Sequence, residues 1–199
     1  MSLLYFLNAY VSKDLSLKIF LFPVTANQDM VLSSFQFNNL LGTVYKQGNV
    51  CFSKDGNTIL SPVGNRVAVF DLVNNKSRVL NYEHRKNVAR IALSPDSNIL
   101  LSVDTDGRAM LVHFKRSTVL HHFNFKAPVN DVQFSPNGKY ILVTKGNQAQ
   151  VWLTPSHMAR EFAPFVLHKI YTGHYDEVLS VQWSPDSRSA QTSFCVESG

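Results

Sequence analysis

The stretch Val132-Gln133-Phe134-Ser135-Pro136-Asn137-Gly138 decides the reading of this chain, because it recurs. Val50-Cys51-Phe52-Ser53-Lys54-Asp55-Gly56 and Ile91-Ala92-Leu93-Ser94-Pro95-Asp96-Ser97 precede it, and Val181-Gln182-Trp183-Ser184-Pro185-Asp186-Ser187 follows. Each copy runs apolar, any residue, apolar, Ser, then Pro or Lys and a turn pair. Ser53, Ser94, Ser135 and Ser184 are separated by 41, 41 and 49 residues. A period in the low forties constrains the architecture more strongly than any local propensity.

Three copies superpose at a shift of 41 without a gap. Val50, Ile91 and Val132 coincide, as do Phe52, Leu93 and Phe134, and this alternation is that of a strand with one buried face. Asp55-Gly56, Asp96-Ser97 and Asn137-Gly138 supply residues that tolerate tight reversals. Ile59, Leu100 and Ile141 mark a second strand. A second turn follows at Gly64-Asn65, Thr105-Asp106 and Gly146-Asn147, and a third strand ends on Phe70, Leu111 and Trp152. Val119 to Phe123 reads as a fourth. Four short antiparallel strands per period make the blade of a β-propeller.

The expected fold is therefore all-β: an incomplete WD-repeat propeller of about three four-stranded blades plus the first strand of a fourth. The dipeptide that names the WD repeat is eroded to Phe70-Asp71, Leu111-Val112 and Trp152-Leu153. The Gly-His that opens a blade survives as Gly173-His174, with Glu83-His84 a half-match. Well-formed blades are locked by a ladder of His, Asp, Ser or Thr and Trp. Asn65, Asp106, Asn147, Trp152 and His174 hold the structural repeat positions, with Asp106 the best-placed acid. The fourth copy arrives eight residues late, after an inserted segment containing Arg160 to Phe165. Three divisions are expected: a poorly ordered non-repeat leader at 1–33, the partial propeller at 34–188, and a divergent tail at 189–199.

Composition is that of an ordinary globular chain, with 45% hydrophobic and 17% charged residues and a formal charge of +5. The apolar runs at Leu3 to Leu7 and Ile19 to Phe22 are too short to span a membrane. The first charge, Lys13, follows the apolar run instead of preceding it as in a signal peptide, and Met30 reads as an alternative start. Cys51 and Cys195 have no metal-like spacing, which fits reduced thiols.

Chemistry-bearing residues are sparse. His121 and His122 are adjacent on a strand and point to opposite faces, so with His113 they make no ligand set. Ser135 and Ser184 belong to a repeated turn, and a nucleophile is not repeated four times. No phosphate loop or paired carboxylate emerges; neither an enzyme nor a cofactor nor a small-molecule substrate is expected. Basic residues cluster as Arg85-Lys86 with Arg90 and as Lys115-Arg116 with Lys126. These are the candidate partner or RNA contacts, because loops on a rigid scaffold carry recognition; a solvated rim is the plainer alternative.

Several segments go beyond a generic repeat. Asn39 to Asn49, Ser61 to Leu72, Tyr82 to Asn87, Val119 to Lys126 and Phe162 to Val166 resemble the N-terminal part of the periodic tryptophan protein 2 family. The resemblance runs from about Ser34 to Arg188. It implies a nucleolar scaffold of the small-subunit processome, within its UTP-B subcomplex, that supports pre-rRNA processing towards 18S rRNA. Implied partners are other processome proteins, and pre-ribosomal and small nucleolar RNA contacted directly or through those proteins, without a membrane; the implied location is the nucleus and nucleolus. A WD-repeat adaptor in another nuclear or trafficking complex, or a truncated product without independent function, are the alternatives.

Overall fold

The computed structural model describes residues 9–10, 18–19, 48–156 and 164–194. In the leader, β1 (Ala9–Tyr10) and β2 (Lys18–Ile19) form a short antiparallel pair with Ala9 opposite Ile19. These residues belong to a unit, 1–42, separate from the remainder of the chain. The rest of the expected leader, and the first repeat residues from Ser34 to Gln47, lie outside the described residues.

The repeat folds as its period requires. The first blade holds β3 (Cys51–Phe52), β4 (Thr58–Val63), β5 (Arg66–Asp71) and β6 (Lys76–Val79). The second holds β7 (Val88–Leu93), β8 (Ile99–Asp104), β9 (Arg108–His113) and β10 (Thr118–Asn124). The third holds β11 (Val132–Phe134), β12 (Tyr140–Lys145), β13 (Gln148–Leu153) and β14 (Leu167–Tyr171). Each is an antiparallel four-stranded sheet in chain order. The fourth blade goes one strand further than expected: β15 (Val178–Trp183) pairs with β16 (Ala190–Phe194), so part of the divergent tail is sheet. The described residues contain no helix.

The serine that heads each copy builds the first turn. Ser53 Oγ donates to Asp55 at 2.5 Å and accepts from Thr58 N–H at 3.0 Å. Ser94 does the same with Asp96 and Ile99, and Ser135 with Asn137 and Tyr140. In the fourth copy, Ser184 donates to Asp186 at 2.5 Å. Left-handed residues then reverse the chain at Gly56, Ser97, Gly138 and Ser187. Hydrogen bonds from Ser53 and Ser184 hold the exposed carboxyls of Asp55 and Asp186 below the usual carboxylate range.

All six residues of β8 are buried because the blade is covered on both faces. Ile99, Leu101 and Val103 pack with Phe125, Val132, Phe134 and Ile141 of the third blade. On the other face, Leu100 joins Leu60, Val67 and Val69 of the first. The core between the third and fourth blades is smaller, formed by Leu142, Ala149, Val151, Val178 and Val181. Burial at about 25 cal/mol per Å² of apolar area makes these interleaved cores the main source of cohesion.

Candidate functional site

Four-stranded blades sort their loops onto two ends. The turns after first and third strands share one end, where Phe114 N–H donates to Asn98 O at 2.8 Å. The turns after second strands meet the inter-blade connections at the other, where His84 N–H donates to Asn65 O at 2.8 Å and Phe125 N–H to Gly107 O at 2.9 Å. Asn65 and Asn147 do equivalent work at this second end. Their side-chain amides donate to His84 O at 3.1 Å and to His174 O at 3.3 Å.

The polar ladder lies under this end. Ser102 Oγ stands 2.8 Å from His84 Nε2 and accepts from Tyr82 Oη at 3.1 Å. When Ser102 gives its proton to Nε2, Nδ1 carries the ring hydrogen towards Asp104 Oδ2, 4.0 Å away. Burial lowers the His84 pKa, with the Asp104 charge pulling upward and nearby His122 pushing down. Burial also lifts the Tyr82 hydroxyl to about 12.

The ladder acid is Asp104, which corrects the expectation for Asp106. Asp104 closes β8, and its buried Oδ1 accepts Asp106 N–H and Arg108 N–H, both at 2.9 Å. Asp106 sits on the outer side of that turn and pairs with Lys86 Nζ at 2.8 Å. In the fourth blade, His174 Nε2 meets Thr192 Oγ1 at 3.1 Å. His174 and Thr192 lie 90 residues beyond His84 and Ser102, as Ser184 lies 90 beyond Ser94. That common offset was the signal for Thr192, hidden by the polar sequence around it.

Trp152 serves the third blade differently. Its ring meets Phe123 at 5.0 Å and Phe125 at 5.9 Å, and Phe123 stacks on Phe165 at 4.5 Å. The inserted segment therefore returns an aromatic to the sheet; its residues 157–163 lie outside the described residues.

The basic candidates separate. Arg85 and Lys86 precede β7 and Lys126 follows β10, all at the ladder end. Lys115 and Arg116 lie in the β9–β10 turn at the other end. Seven residues of β10 divide Lys115-Arg116 from Lys126, roughly 23 Å at 3.3 Å per residue. Lys126 adopts a left-handed backbone, with its N–H on Asn124 Oδ1 at 2.7 Å. Arg90 is no free contact: its Nε donates to Asn130 O and its Nη1 to Ala89 O at 3.0 Å.

Arg90 belongs to a structural series. Asn49, 41 residues earlier, accepts Ile91 N–H at 2.8 Å and donates to Ile91 O at 2.7 Å. Asp131, 41 residues later, accepts Val181 N–H at 3.0 Å. At one register position, at or near the start of each innermost strand, a side chain thus ties its blade to the next. Burial raises the Asp131 carboxyl, opposed by the Val181 and Val132 N–H groups and the Arg90 charge. Cys51 Sγ lies beside the first of these ties, 3.3 Å from Ile91 O, and burial pushes its thiol up to about 11.

Among the described residues, no group of three or more His, Cys, Asp or Glu could hold a metal ion, and no helix is long and apolar enough to cross a membrane. The family model described as WD domain, G-beta repeat, matches residues 75–112, 115–152 and 165–190. The chain belongs to the WD-repeat family. Among WD-repeat proteins it is similar to periodic tryptophan protein 2 of Saccharomyces cerevisiae, 55% identical over 157 residues, covering 78% of this chain and 17% of that protein. The homologue from Schizosaccharomyces pombe is 54% identical over 157 residues, 78% of this chain and 18% of the relative. The Mus musculus homologue is 49% identical over 155 residues, 78% of this chain and 17% of the relative. The chain spans about a sixth of the length of these curated relatives.

Proposed function

We propose that this chain is the early-blade portion of a non-catalytic scaffold in ribosome biogenesis, supporting small-subunit processome assembly and pre-rRNA processing towards 18S rRNA. The observation that carries the reading is identity of 49–55% with proteins named periodic tryptophan protein 2 or its homologue, from yeasts to mouse. The physical form agrees with a scaffold: blades cross-tied by Asn49, Arg90 and Asp131 hold two loop-bearing ends for partners. The partners would be processome proteins, with pre-ribosomal and small nucleolar RNA, in the nucleolus.

The test is affinity purification of the tagged protein from nuclear extract. Enrichment of pre-rRNA and processome proteins over an unrelated tagged propeller is expected. Recovery with a cytoplasmic or trafficking assembly instead would move the chain to the adaptor reading.

A further inference from the structure

We propose that the groove on the second blade beside the ladder is a phosphodiester site for single-stranded RNA. It is a cavity of about 630 Å³ whose walls include Arg85, Arg108, Met110, His122 and Asn124, with His84 and Asp104 beneath. The proposal rests on the reading above only for the polymer's presence in the cell; the residues and chemistry come from the groove.

Register brings the rim together. Arg108 stands opposite Asn124 on the β9–β10 pair, and Met110 opposite His122. Alternate residues share a strand face, so these four side chains line one side. Arg85 enters from the connection ahead of β7. The nearby acids are spent: Asp106 on Lys86, and Glu83 on Arg66 at 2.7 Å. Arg85 and Arg108 make no ion pair among the described residues.

The rim therefore offers donors. Two guanidiniums, the Asn124 amide and the His122 ring face outward, while Asn124 Oδ1 already accepts Lys126 N–H. The ladder groups beneath, the His84 Nδ1–H and Asp104 Oδ2, are sealed from the surface. A phosphodiester brings acceptors only, which matches this rim. An acidic peptide would bring carboxylates to the same guanidiniums, and competition by polyglutamate separates that occupant from RNA. Arginine forks suit phosphate geometry and also stack on bases, and Met110 gives a sugar or base an apolar rest. Successive same-face residues along a strand are roughly 6.6 Å apart, comparable to the step between neighbouring phosphates on an extended strand.

The experiment is fluorescence anisotropy of the purified full 199-residue chain with a labelled single-stranded RNA about 12 nucleotides long, titrated over salt. Arg85→Glu and Arg108→Glu should each weaken binding about tenfold and lower the salt slope by about one. Lys54→Glu and Lys139→Glu, the same charge change at the opposite end, should stay within about twofold of the parent. If charge reversal harms folding by circular dichroism, Arg85→Gln and Arg108→Gln carry the test, with about threefold expected. Absence of RNA binding, equal loss at both ends, or displacement of RNA by polyglutamate of equal charge would each overturn the site. Failure here with intact processome co-purification refutes the groove alone; the converse refutes the cellular role alone.

Discussion

The second and third blades solve one problem by different chemistry at the same register. His84 and Ser102 in the second are replaced, 41 residues on, by Phe125 and Val143 in the third. The first pair is a buried ladder hydrogen-bonded through Tyr82, with the Asp104 carboxylate 4.0 Å from the His84 ring; the second is apolar, sealed by Trp152, Phe123 and Phe165. Asp104 itself becomes Lys145. A buried polar group needs every partner, so a blade that lost its acid was better served by losing its histidine and hydroxyl too. The blade position is kept while the interaction that fills it changes.

The largest effect tests where these two blades meet. Gly107 has φ +80, and a Cβ there would lie 1.9 Å from Ala127 O. Its third-blade counterpart is Gln148, so the requirement belongs to the second blade alone. Gly107→Ala should cost more than about 4 kcal/mol or abolish the cooperative urea transition. Gly146→Ala, with open space around the Cβ, should cost about 1–2 kcal/mol.

Giving the third blade the ring of the second should come next. Phe125→His buries an imidazole with neither the hydroxyl nor the acid, at a cost of about 3 kcal/mol by urea denaturation. The reverse exchange, Ser102→Val, leaves Tyr82 and His84 without their shared partner and should cost about 2 kcal/mol. Adding His84→Phe to it should recover part of that loss; strict additivity in the double-mutant cycle would contradict the coupling.

Acid should weaken the second blade in particular. Folding lowers the His84 pKa, so its contribution is intact above the ordinary imidazole value of about 6.5 and is lost as pH falls through it. Urea midpoints at pH 7.5 and 5.5 should diverge, by at most about 1.4 kcal/mol per pH unit from this one proton. His84→Phe should narrow the gap. Smallest of all, Lys86→Ala removes an exposed pair with Asp106 and should change stability by less than about 0.5 kcal/mol.

Much of this was legible from the repeat. Ser53, Ser94, Ser135 and Ser184 located the first turns because a hydroxyl two residues before an acid or amide builds that turn locally. Asp104 and Asp106 were not separable, because two acids one residue apart fit a turn equally well; only the end of β8 decides which points inward. The grouping of Lys115 with Lys126 failed because sequence proximity ignores the length of β10. Asn49, Arg90 and Asp131 share a register but no side-chain type, so nothing in composition advertised their common task.

Those three residues also give the assembly a direction in time. Asn49 grips Ile91, Arg90 grips Asn130, and Asp131 grips Val181; each grip reaches from an earlier blade to a later stretch of chain. On a ribosome, the gripping side chain is therefore always synthesised before its target. Each new innermost strand emerges to find its docking partner already made, so the blades can be laid down one after another in the order they are translated.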